Sequence, residues 1–303
     1  MGSGYLVRRG VVGSSSEVTV TFDIQNVKIF RRGLTSLITP VYNLAATTVG
    51  DYALFGGGSV RDGSNSSTVN AYDSNLVRTI PLSLSIARNY LAATTLRGYA
   101  LFGGNTIYSN TDAYNSNLVR SLLTSLSIAR NYLAATTVGD YALFGGGSSG
   151  NTYYSTVDAY DTNLVRSTPT ALSVARKNFS ATTIGDYALF GGGYNGLDIY
   201  FSTVDAYDTN LVRSSMDNLL EVRSGLAATT VGKYALFGGG NDGGSLCSDD
   251  VDIYTFDSTI QVYPGTKYKF NNMVEEETAT EWKEITFDEP LNGYIKISNV
   301  EIN

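Results

Sequence analysis

Four arginines recur at one position of a repeated pattern, and they are the first residues in this sequence that could do chemistry. Each ends a short "SIAR", "SVAR" or "EVR" segment: Arg88, Arg130, Arg176 and Arg223. Such arginines can contact a ligand, or they can pack their stems between repeats and hydrogen-bond loop carbonyls. The sequence favours the packing role and leaves ligand contact open.

The segments around these arginines vary most from repeat to repeat and are rich in Tyr, Asn, Ser, Gly and Asp. Tyr offers a flat contact area with a polar tip at low entropy cost, while Ser, Gly and Asn adapt their hydrogen bonds. Aromatic faces beside Asn and Asp also suit sugar rings. The predicted ligand-binding residues are Arg88, Arg130, Arg176, Arg223, Tyr42, Tyr90, Tyr132, Asn178, Tyr108, Tyr153, Tyr154, Tyr194, Tyr200, Phe201 and Asp242.

Several kinds of chemistry are excluded, because the chain contains no histidine and one cysteine, Cys247. The lack of histidine excludes Ser-His-Asp catalysis, Cys-His catalysis and His-ligated metal sites. A single cysteine excludes thiolate zinc sites and intramolecular disulfides. We expect no cofactor and no metal, with the acidic segment Asn241–Asp252 as a minor candidate for Ca²⁺. The repeated aspartates are expected to stabilise turns: Asp158, Asp161, Asp205 and Asp208.

Composition and charge further narrow the class of protein to which this chain can belong. With 43% hydrophobic and 16% charged residues the chain is globular, and its formal net charge of −7 argues against nucleic-acid binding. No run of eighteen apolar residues occurs, so we expect no membrane insertion. The N-terminal stretch lacks the apolar core of a secretion signal.

The elements that position these residues belong to an internal repeat. "LAATTVGDYALFGGG" stands at Leu44–Gly58 and again at Leu133–Gly147, with close variants at 91–105, 179–193 and 226–240. Each copy contains short strand patterns with a glycine turn signal, which is Gly-Asp in three copies, and then "VDAYD" or a close variant, whose Tyr we predict to be a core residue. The first four copies add a strand that begins "LVR". Four short strands per repeat predict a four-stranded antiparallel blade.

The spacing locates the variable part of each blade. From the Tyr of "AYD" or "AYN" to the Phe of the next "ALFGG" the distance is always 30 residues, whereas from Phe to the following Tyr it ranges from 12 to 17. Length changes therefore fall between the second and third strands. In an antiparallel blade that connection emerges on the same side as the fourth-to-first connection, which predicts one variable, loop-rich face.

The repeat resembles the kelch repeat. The resemblance rests on the double glycine after an aliphatic-aromatic strand, the "VDAYD" strand and the recurring Arg, and it departs from the pattern in lacking the fourth-strand Trp and in having Val41 at the first Arg position. It implies an all-β fold, a five-bladed kelch-like β-propeller at 27–257. The N-terminal β extension is then 1–26 and a small C-terminal β appendage 258–303. Galactose-oxidase-like copper chemistry cannot accompany it, because that site needs histidine.

Ring closure is expected at the N-terminal side. Val27–Leu37 aligns with Ser116–Leu126 as a fourth strand without its own blade, and the last copy ends on its third strand near Tyr254. We expect this N-terminal strand to complete the fifth blade, with Ser258–Tyr263 as the competing candidate. The C-terminal "PGTKYKF" and "PLNGYIKI" segments loosely resemble tail-associated proteins of phages of Gram-positive bacteria.

These observations predict a non-catalytic recognition module that presents its variable face to a bacterial surface glycan or protein. The phage-like segment implies a receptor-binding or accessory tail protein, located in the virion or in the cytoplasm before assembly, with other tail proteins as further partners. Homo-oligomer formation through the β flanks is left open. The alternatives are an intracellular kelch scaffold and a carbohydrate-active enzyme using Asp, Tyr and Arg.

Overall fold

The computed structural model describes residues 35–196, 199–244 and 247–255, together with the backbones of two strands at 267–271 and 282–286. Within these residues every regular element is a β-strand, which confirms the predicted all-β class. The expected strands at 16–24 and 258–263, and the expected closing strand up to residue 34, lie outside the described residues.

The chain forms five antiparallel sheets in succession, each with its strands in chain order. Sheets 1 and 2 contain β1 (Ala45–Val49), β2 (Tyr52–Gly56), β3 (Val69–Tyr72) and β4 (Arg78–Thr79), then β5 (Ala92–Leu96), β6 (Tyr99–Gly103), β7 (Thr111–Asn115) and β8 (Arg120–Leu122). Sheet 3 contains β9 (Ala134–Val138), β10 (Tyr141–Gly145), β13 (Val157–Tyr160) and β14 (Arg166–Ser167), with a small hairpin of β11 (Ser148–Ser149) and β12 (Thr152–Tyr153) in its variable loop.

The later sheets repeat this order. Sheet 4 contains β15 (Ser180–Ile184), β16 (Tyr187–Gly191), β17 (Val204–Asp208) and β18 (Arg213–Ser215), and sheet 5 contains β19 (Ala227–Val231), β20 (Tyr234–Gly238) and β21 (Val251–Thr255). Four sheets therefore have the predicted four strands, and three strands of the fifth are described. The backbones of β22 (Lys267–Asn271) and β23 (Trp282–Thr286) form one more antiparallel pair.

The turn between the third and fourth strands is built around an acidic or amide side chain. In sheet 3, Asp161 Oδ1 accepts hydrogen bonds from the backbone N–H groups of Asn163 and Val165, both at 2.9 Å. Asp208 does the same in sheet 4, so the expected turn role of these two aspartates is confirmed. A leucine with positive φ stands three residues after each of these aspartates, such as Leu164 (φ 62°). Its side chain packs against the preceding sheet.

Neighbouring sheets pack by placing a phenylalanine ring over a glycine. A Cβ atom added to Gly56 would lie 2.9 Å from the ring of Phe102 in the next sheet, so any larger residue would displace that ring. The phenylalanines are fully buried. The same contact recurs at Gly103–Phe144, Gly145–Phe190 and Gly191–Phe237. The glycine that ends each "ALFG" strand is therefore a packing requirement.

The tyrosine of each "AYD" or "AYN" strand completes this packing. Tyr114 meets the ring of Phe102 edge-on at a centroid distance of 5.9 Å, and its hydroxyl donates to Leu82 O at 2.8 Å. Tyr160 and Tyr207 make the equivalent ring contacts and hydrogen bonds in sheets 3 and 4. The prediction that these tyrosines are core residues is confirmed.

The first strands of successive sheets are joined by threonines. Each joint is a 2.8 Å contact between two hydroxyl oxygens: Thr47–Thr95, Thr94–Thr137, Thr136–Thr183 and Thr182–Thr230. One threonine of each strand contacts the sheet before and another the sheet after. The "ATT" of the repeat thus supplies a hydrogen-bonding edge toward each neighbour.

The array ends in a surface that the described residues leave uncovered. Val231 of sheet 5 is 63% exposed, although Val49 and Val138 at the same position are 1% exposed. A Cβ at Gly238 would meet one nearby atom, from Val251, and no aromatic ring among the described residues. The outer face of sheet 5 therefore has the shape of a sheet-to-sheet boundary without the next sheet.

Candidate functional site

The four recurring arginines lie in the interior. All four side chains are fully buried and pair with a buried aspartate of the third strand. In sheet 3, Arg130 Nη2 donates to Asp158 Oδ2 at 2.8 Å and to Phe144 O at 3.0 Å. The other pairs are Arg88–Asp112, Arg176–Asp205 and Arg223–Asp252.

Each arginine joins two sheets. While the Arg130 side chain binds strands of sheet 3, its backbone carbonyl accepts a 2.9 Å hydrogen bond from Asn105 N in the loop of sheet 2. The ligand-binding role considered for the arginines is therefore corrected, because no ligand on the surface can reach these guanidinium groups. Their role is the packing one: they fix the base of each variable loop.

The buried aspartates carry further partners. Asp158 Oδ1 accepts from Arg166 Nη1 at 2.7 Å, and Asp205 Oδ1 accepts from Arg213 Nη1 at 2.8 Å. Each also accepts hydrogen bonds from the N–H and Oγ of a serine in the connection that leads to the arginine, so these two aspartates combine the expected turn role with a place at the centre of an ion-pair network. Burial lowers the pKa of Arg176, and the charge of Asp205 acts in the opposite direction, which favours the ionised pair.

The first repeat has no such ion pair, and two substitutions account for it. Val41 stands at the arginine position and Asn70 at the aspartate position. Asn70 Oδ1 accepts from Ile38 N at 3.1 Å, the same backbone contact that Asp158 Oδ1 makes with Ser127 N at 3.0 Å. Sequence reasoning noticed Val41 but missed Asn70, although the "VNAY" that replaces "VDAY" was the available signal.

Five residues lie in a row on the variable face, each two positions before the first strand of its sheet, and we call them the inner ring. All five have positive φ: Asn43 (56°), Tyr90 (48°), Tyr132 (54°), Asn178 (53°) and Gly225 (69°). Their backbones are hydrogen-bonded in sequence, at 2.8 to 3.2 Å. The N–H groups of the last four residues each donate to the carbonyl of the corresponding residue in the preceding sheet. These hydrogen bonds therefore fix the positions of the five residues relative to one another.

Two tyrosines occupy this ring at a conformational cost. Positive φ is easy for Gly and tolerated by Asn, but a bulky side chain rarely adopts it and loses about 1–2 kcal/mol there. Such strain persists where the surrounding structure imposes it, and it clusters at functional sites. The side chains of Tyr90 and Tyr132 are thus retained at positions where Asn or Gly serves the backbone better.

The tyrosines of the inner ring stack on each other and line a cup. The ring centroids of Tyr90 and Tyr132 lie 4.0 Å apart, with an angle of 31° between the planes. The cup has a volume of about 210 Å³ and is completed by Asn43 and Asn178. Burial, followed by a hydrogen bond to the Tyr90 side chain, raises the pKa of Tyr132. The Tyr132 phenol therefore stays protonated at neutral pH and can donate a hydrogen bond.

A lysine lies among the tyrosines of three loops. The Lys177 Nζ atom is 5.2 Å from the ring centroid of Tyr132, 5.3 Å from that of Tyr153 and 5.1 Å from that of Tyr194. These are cation–π distances. Lys177 also pairs with Tyr194 through two backbone hydrogen bonds of 3.0 Å, so its position relative to that ring is fixed.

Neighbouring variable loops are packed together by aromatic residues. Tyr153 of the sheet 3 loop lies against Gly196 of the sheet 4 loop, at a place where a larger residue would overlap its hydroxyl. Tyr200 lies in the same way against Gly243 and stacks on Tyr194, with centroids 5.3 Å apart and planes 14° apart. A groove of about 630 Å³ runs beside Tyr153. We call Tyr90, Tyr132, Tyr153, Tyr194 and Tyr200 the tyrosine cluster.

The remaining predicted residues lie outside this cluster. Tyr42 and Tyr108 are 54% and 51% exposed on their own loops. Tyr154 and Phe201 are half-buried and hold their loops by backbone hydrogen bonds to Gly147 and Gly193. Asp242 is exposed and accepts from Gly244 N at 2.8 Å within its turn.

The structure brings Tyr90, Tyr132, Asn178, Tyr153, Tyr194 and Tyr200 together, as one site on the variable face. Sequence reasoning missed two members, Lys177 and Asn43. The signal for Lys177 was its place directly after Arg176, where the other sheets carry Tyr, Asn or Ser. In the described part of the chain no group of Cys, Asp or Glu side chains is arranged to hold a metal ion.

A comparison of the chain with models of known protein families found no match, and a comparison with curated proteins found none either. The described residues include no helix able to span a membrane. The function has to be argued from the site itself.

Proposed function

We propose that this protein is a non-catalytic recognition protein that binds a glycan at the tyrosine cluster. The observation that carries the proposal is the stacked pair of Tyr90 and Tyr132, held at positive φ around an open cup. Both tyrosines are half-buried and line the cup, where an aromatic face can stack on a sugar ring, and Asn43 and Asn178 supply donors and acceptors for hydroxyl groups.

Binding is favoured over catalysis by what lines the cavities. The cup and the groove are lined by Asn, Thr, Tyr, Leu, Phe, Ala and Gly side chains or backbone, with no carboxylate among the described lining residues. Glycoside hydrolysis needs, in most families, two carboxyl groups flanking the bond that breaks. A sugar held here meets hydrogen-bonding and stacking groups, which supports a lectin-like role.

The setting that we propose is a phage tail, where the protein recognises a bacterial surface glycan and contacts other tail proteins. This rests on the resemblance of the "PGTKYKF" and "PLNGYIKI" segments to phage tail-associated proteins. An intracellular scaffold is the alternative setting. Cross-linking in infected cells distinguishes them, because a tail protein gives adducts with other virion components and a scaffold gives adducts with cytosolic partners.

We also propose that the five sheets are the blades of a kelch-like propeller and that the strand at 27–37 completes the fifth. Two features of sheet 5 support it. Asp252 has Arg223 but, among the described residues, no second arginine like the Arg166 of Asp158. In the alignment of Val27–Leu37 with Ser116–Leu126, Arg31 falls on the position of that second arginine.

The second feature is an apolar cavity between sheets 4 and 5, of about 280 Å³, lined by Ile184, Tyr187, Leu189 and Tyr254. At the boundary of sheets 3 and 4 the corresponding place is packed by Leu211. Ile29 is the residue that the same alignment puts at the leucine position. The segment Ser258–Tyr263 contains no basic residue, so it offers no partner to Asp252.

The binding proposal is tested with a variant that keeps the backbone geometry. In Tyr90→Asn/Tyr132→Asn the inner ring carries the residue that sheets 1 and 4 already have there. The purified full chain, this variant and Tyr234→Ala are applied to a glycan array and to bacterial cell-wall fractions. Tyr234 lies at the other end of sheet 5, beside the turn opposite the variable loops, and is 41% exposed.

We expect the full chain and Tyr234→Ala to bind the same glycans and the double variant to lose them. Retention of binding by the double variant contradicts the assignment of the site. Absence of binding to every glycan and wall fraction contradicts glycan recognition itself.

A further inference from the structure

One positive charge lies at the centre of the tyrosine cluster, and no acidic side chain of the described residues pairs with it. Within the described part of the chain, Lys177 Nζ takes part in no ion pair and no hydrogen bond, and its contacts are the three tyrosine rings at 5.1 to 5.3 Å. An aromatic face attracts a cation but has no net charge. The charge of Lys177 therefore remains available to an anion.

The surroundings make this charge selective. The chain has a formal net charge of −7, so its surface as a whole repels anions. Lys177 is half-buried between loops of sheets 3 and 4, beside phenol groups that can donate hydrogen bonds. An anion that binds here must reach into the cluster, where the tyrosine faces can stack on the C–H face of a sugar ring.

A cationic ligand fits this site poorly. The position that an ammonium group would take between the rings of Tyr132, Tyr153 and Tyr194 is already occupied by Lys177 Nζ. A second cation there would face like-charge repulsion in a partly desolvated site. An aromatic cage with its own cation is therefore arranged for a ligand of the opposite sign.

We propose that the site selects an anionic sugar, whose ring stacks on a tyrosine of the cluster and whose carboxylate or phosphate binds Lys177 Nζ. This inference rests on the proposed glycan-binding function and adds the charge of the ligand. Stacking of the sugar ring contributes contact area, which neutral and anionic sugars have in common. The anionic substituent adds a charge-assisted hydrogen bond that neutral sugars lack. Selectivity between a neutral sugar and its anionic counterpart is thus assigned to one residue.

The test uses matched probes on the full chain. Oligomers of glucose and of glucuronate are compared by isothermal titration calorimetry, with glucose 6-phosphate and inorganic phosphate as separate arms. We expect the glucuronate oligomer to bind about tenfold more tightly than the neutral one, as one charge-assisted hydrogen bond provides. Titration with glucose 6-phosphate shows whether a phosphate or a carboxylate is preferred. Titration with inorganic phosphate measures the affinity for the anionic group without a sugar ring.

Three variants separate the possible outcomes. Lys177→Met is expected to abolish the preference for the anionic oligomer while keeping the affinity for the neutral one. Lys233→Met is the matched control, because Lys233 Nζ also lies over a tyrosine ring, that of Tyr234 at 5.5 Å, at the opposite end of its sheet. Asp198→Asn removes the carboxylate that the sequence places in the same loop as Tyr194 and Tyr200, and it should bind the anionic oligomer at least as tightly as the full chain.

Equal affinity for neutral and anionic oligomers, both lost in Tyr90→Asn/Tyr132→Asn, overturns the charge assignment and leaves glycan recognition standing. If Lys177→Met loses affinity equally for the neutral and the anionic oligomer, the charge assignment is also overturned, because the lysine would then only position the tyrosines. If none of the sugars binds and the array is negative, the proposed function fails, and this inference fails with it.

Discussion

Val41 and Asn70 occupy, in the first repeat, the two positions that a buried arginine and a buried aspartate occupy in the other four. The charges are absent together. A buried ion pair is expensive to break, because removing one partner leaves the other charge desolvated and unpaired, whereas replacing both removes the problem. The first repeat shows that this stacking geometry is compatible with a neutral pair.

The first prediction follows from this pair. Arg130→Val alone should lower the free energy of unfolding by about 3 kcal/mol, because Asp158 stays buried and keeps Arg166 as its one remaining charged partner. The double variant Arg130→Val/Asp158→Asn, which copies the first repeat, should cost less than the sum of the single variants, with a coupling of about 1–3 kcal/mol. Urea unfolding of the four proteins measures the cycle. Additive costs would show that the two side chains do not act as a pair.

The second prediction concerns backbone strain in the inner ring. Tyr132→Asn and Tyr132→Gly should each be more stable than Tyr132→Ala, by about 0.5–1 kcal/mol, because Asn and Gly adopt positive φ more easily than Ala. All three variants lose the same stack with Tyr90, so the comparison isolates the backbone. Thermal unfolding gives the order. An alanine variant as stable as the glycine variant is incompatible with strain at this position.

The third prediction is a pH dependence that belongs to the buried tyrosines. Burial raises the pKa of Tyr160 to about 12, and its hydroxyl donates to Thr124 O at 2.7 Å. An unfolded tyrosine titrates near pH 10, so the folded state holds this proton more tightly. The stabilisation is therefore complete below about pH 10 and is lost as the pH rises toward about 12.

Tyr160→Phe makes this measurable, because it keeps the ring and removes the titrating group. The variant should be less stable than the native chain at about pH 8, by roughly 1 kcal/mol for the lost hydrogen bond. The gap should shrink or reverse toward pH 11.5 or so, where the native chain loses the Tyr160 contribution. Melting temperatures across this range check it, with Tyr108→Phe as the exposed control. Parallel curves for Tyr160→Phe and the native chain would refute the assignment.

The fourth prediction tests closure of the ring. Arg31→Gln should lower the free energy of unfolding by roughly 1–2 kcal/mol, the worth of a hydrogen bond between charged groups, because Asp252 would lose its second arginine. Arg32→Gln is the matched control, since successive residues of a strand point to opposite faces. Equal effects of the two variants would remove the support for the N-terminal strand and favour Ser258–Tyr263.

The repeat predicted the strands well because every copy repeats the same local signals. Gly-Asp turns, strand-ending glycines and the spacing of 30 residues fix the hairpins wherever they occur. The places of the arginines and aspartates could not be fixed in this way. Whether Arg130 meets a ligand or Asp158 depends on a contact across two strands and 28 positions, and either arrangement has the same sequence pattern.

The site was predicted in part for a similar reason. Tyrosine-rich loops identified the face, and the structure brings six of the predicted residues together there. Lys177 was overlooked because its contacts are with three tyrosine rings on three different loops, and no local sequence pattern predicts such contacts. The positive φ of Tyr90 and Tyr132 is equally invisible in sequence, since tyrosine, unlike Gly or Asn, does not indicate a left-handed backbone.

The phenylalanine–glycine contact between neighbouring sheets has a consequence for how this gene can change. Because the joint is the same at all four boundaries, a whole repeat could be deleted, duplicated or exchanged and still fit its new neighbours. Leu44–Gly58 and Leu133–Gly147 have identical amino-acid sequences, so these two segments can be exchanged without any change in the strands. Each exchange would carry one intact loop into a new set of neighbours. Diversity at the variable face can thus arise when whole repeats are rearranged, without new mutations in the strands that support the loops.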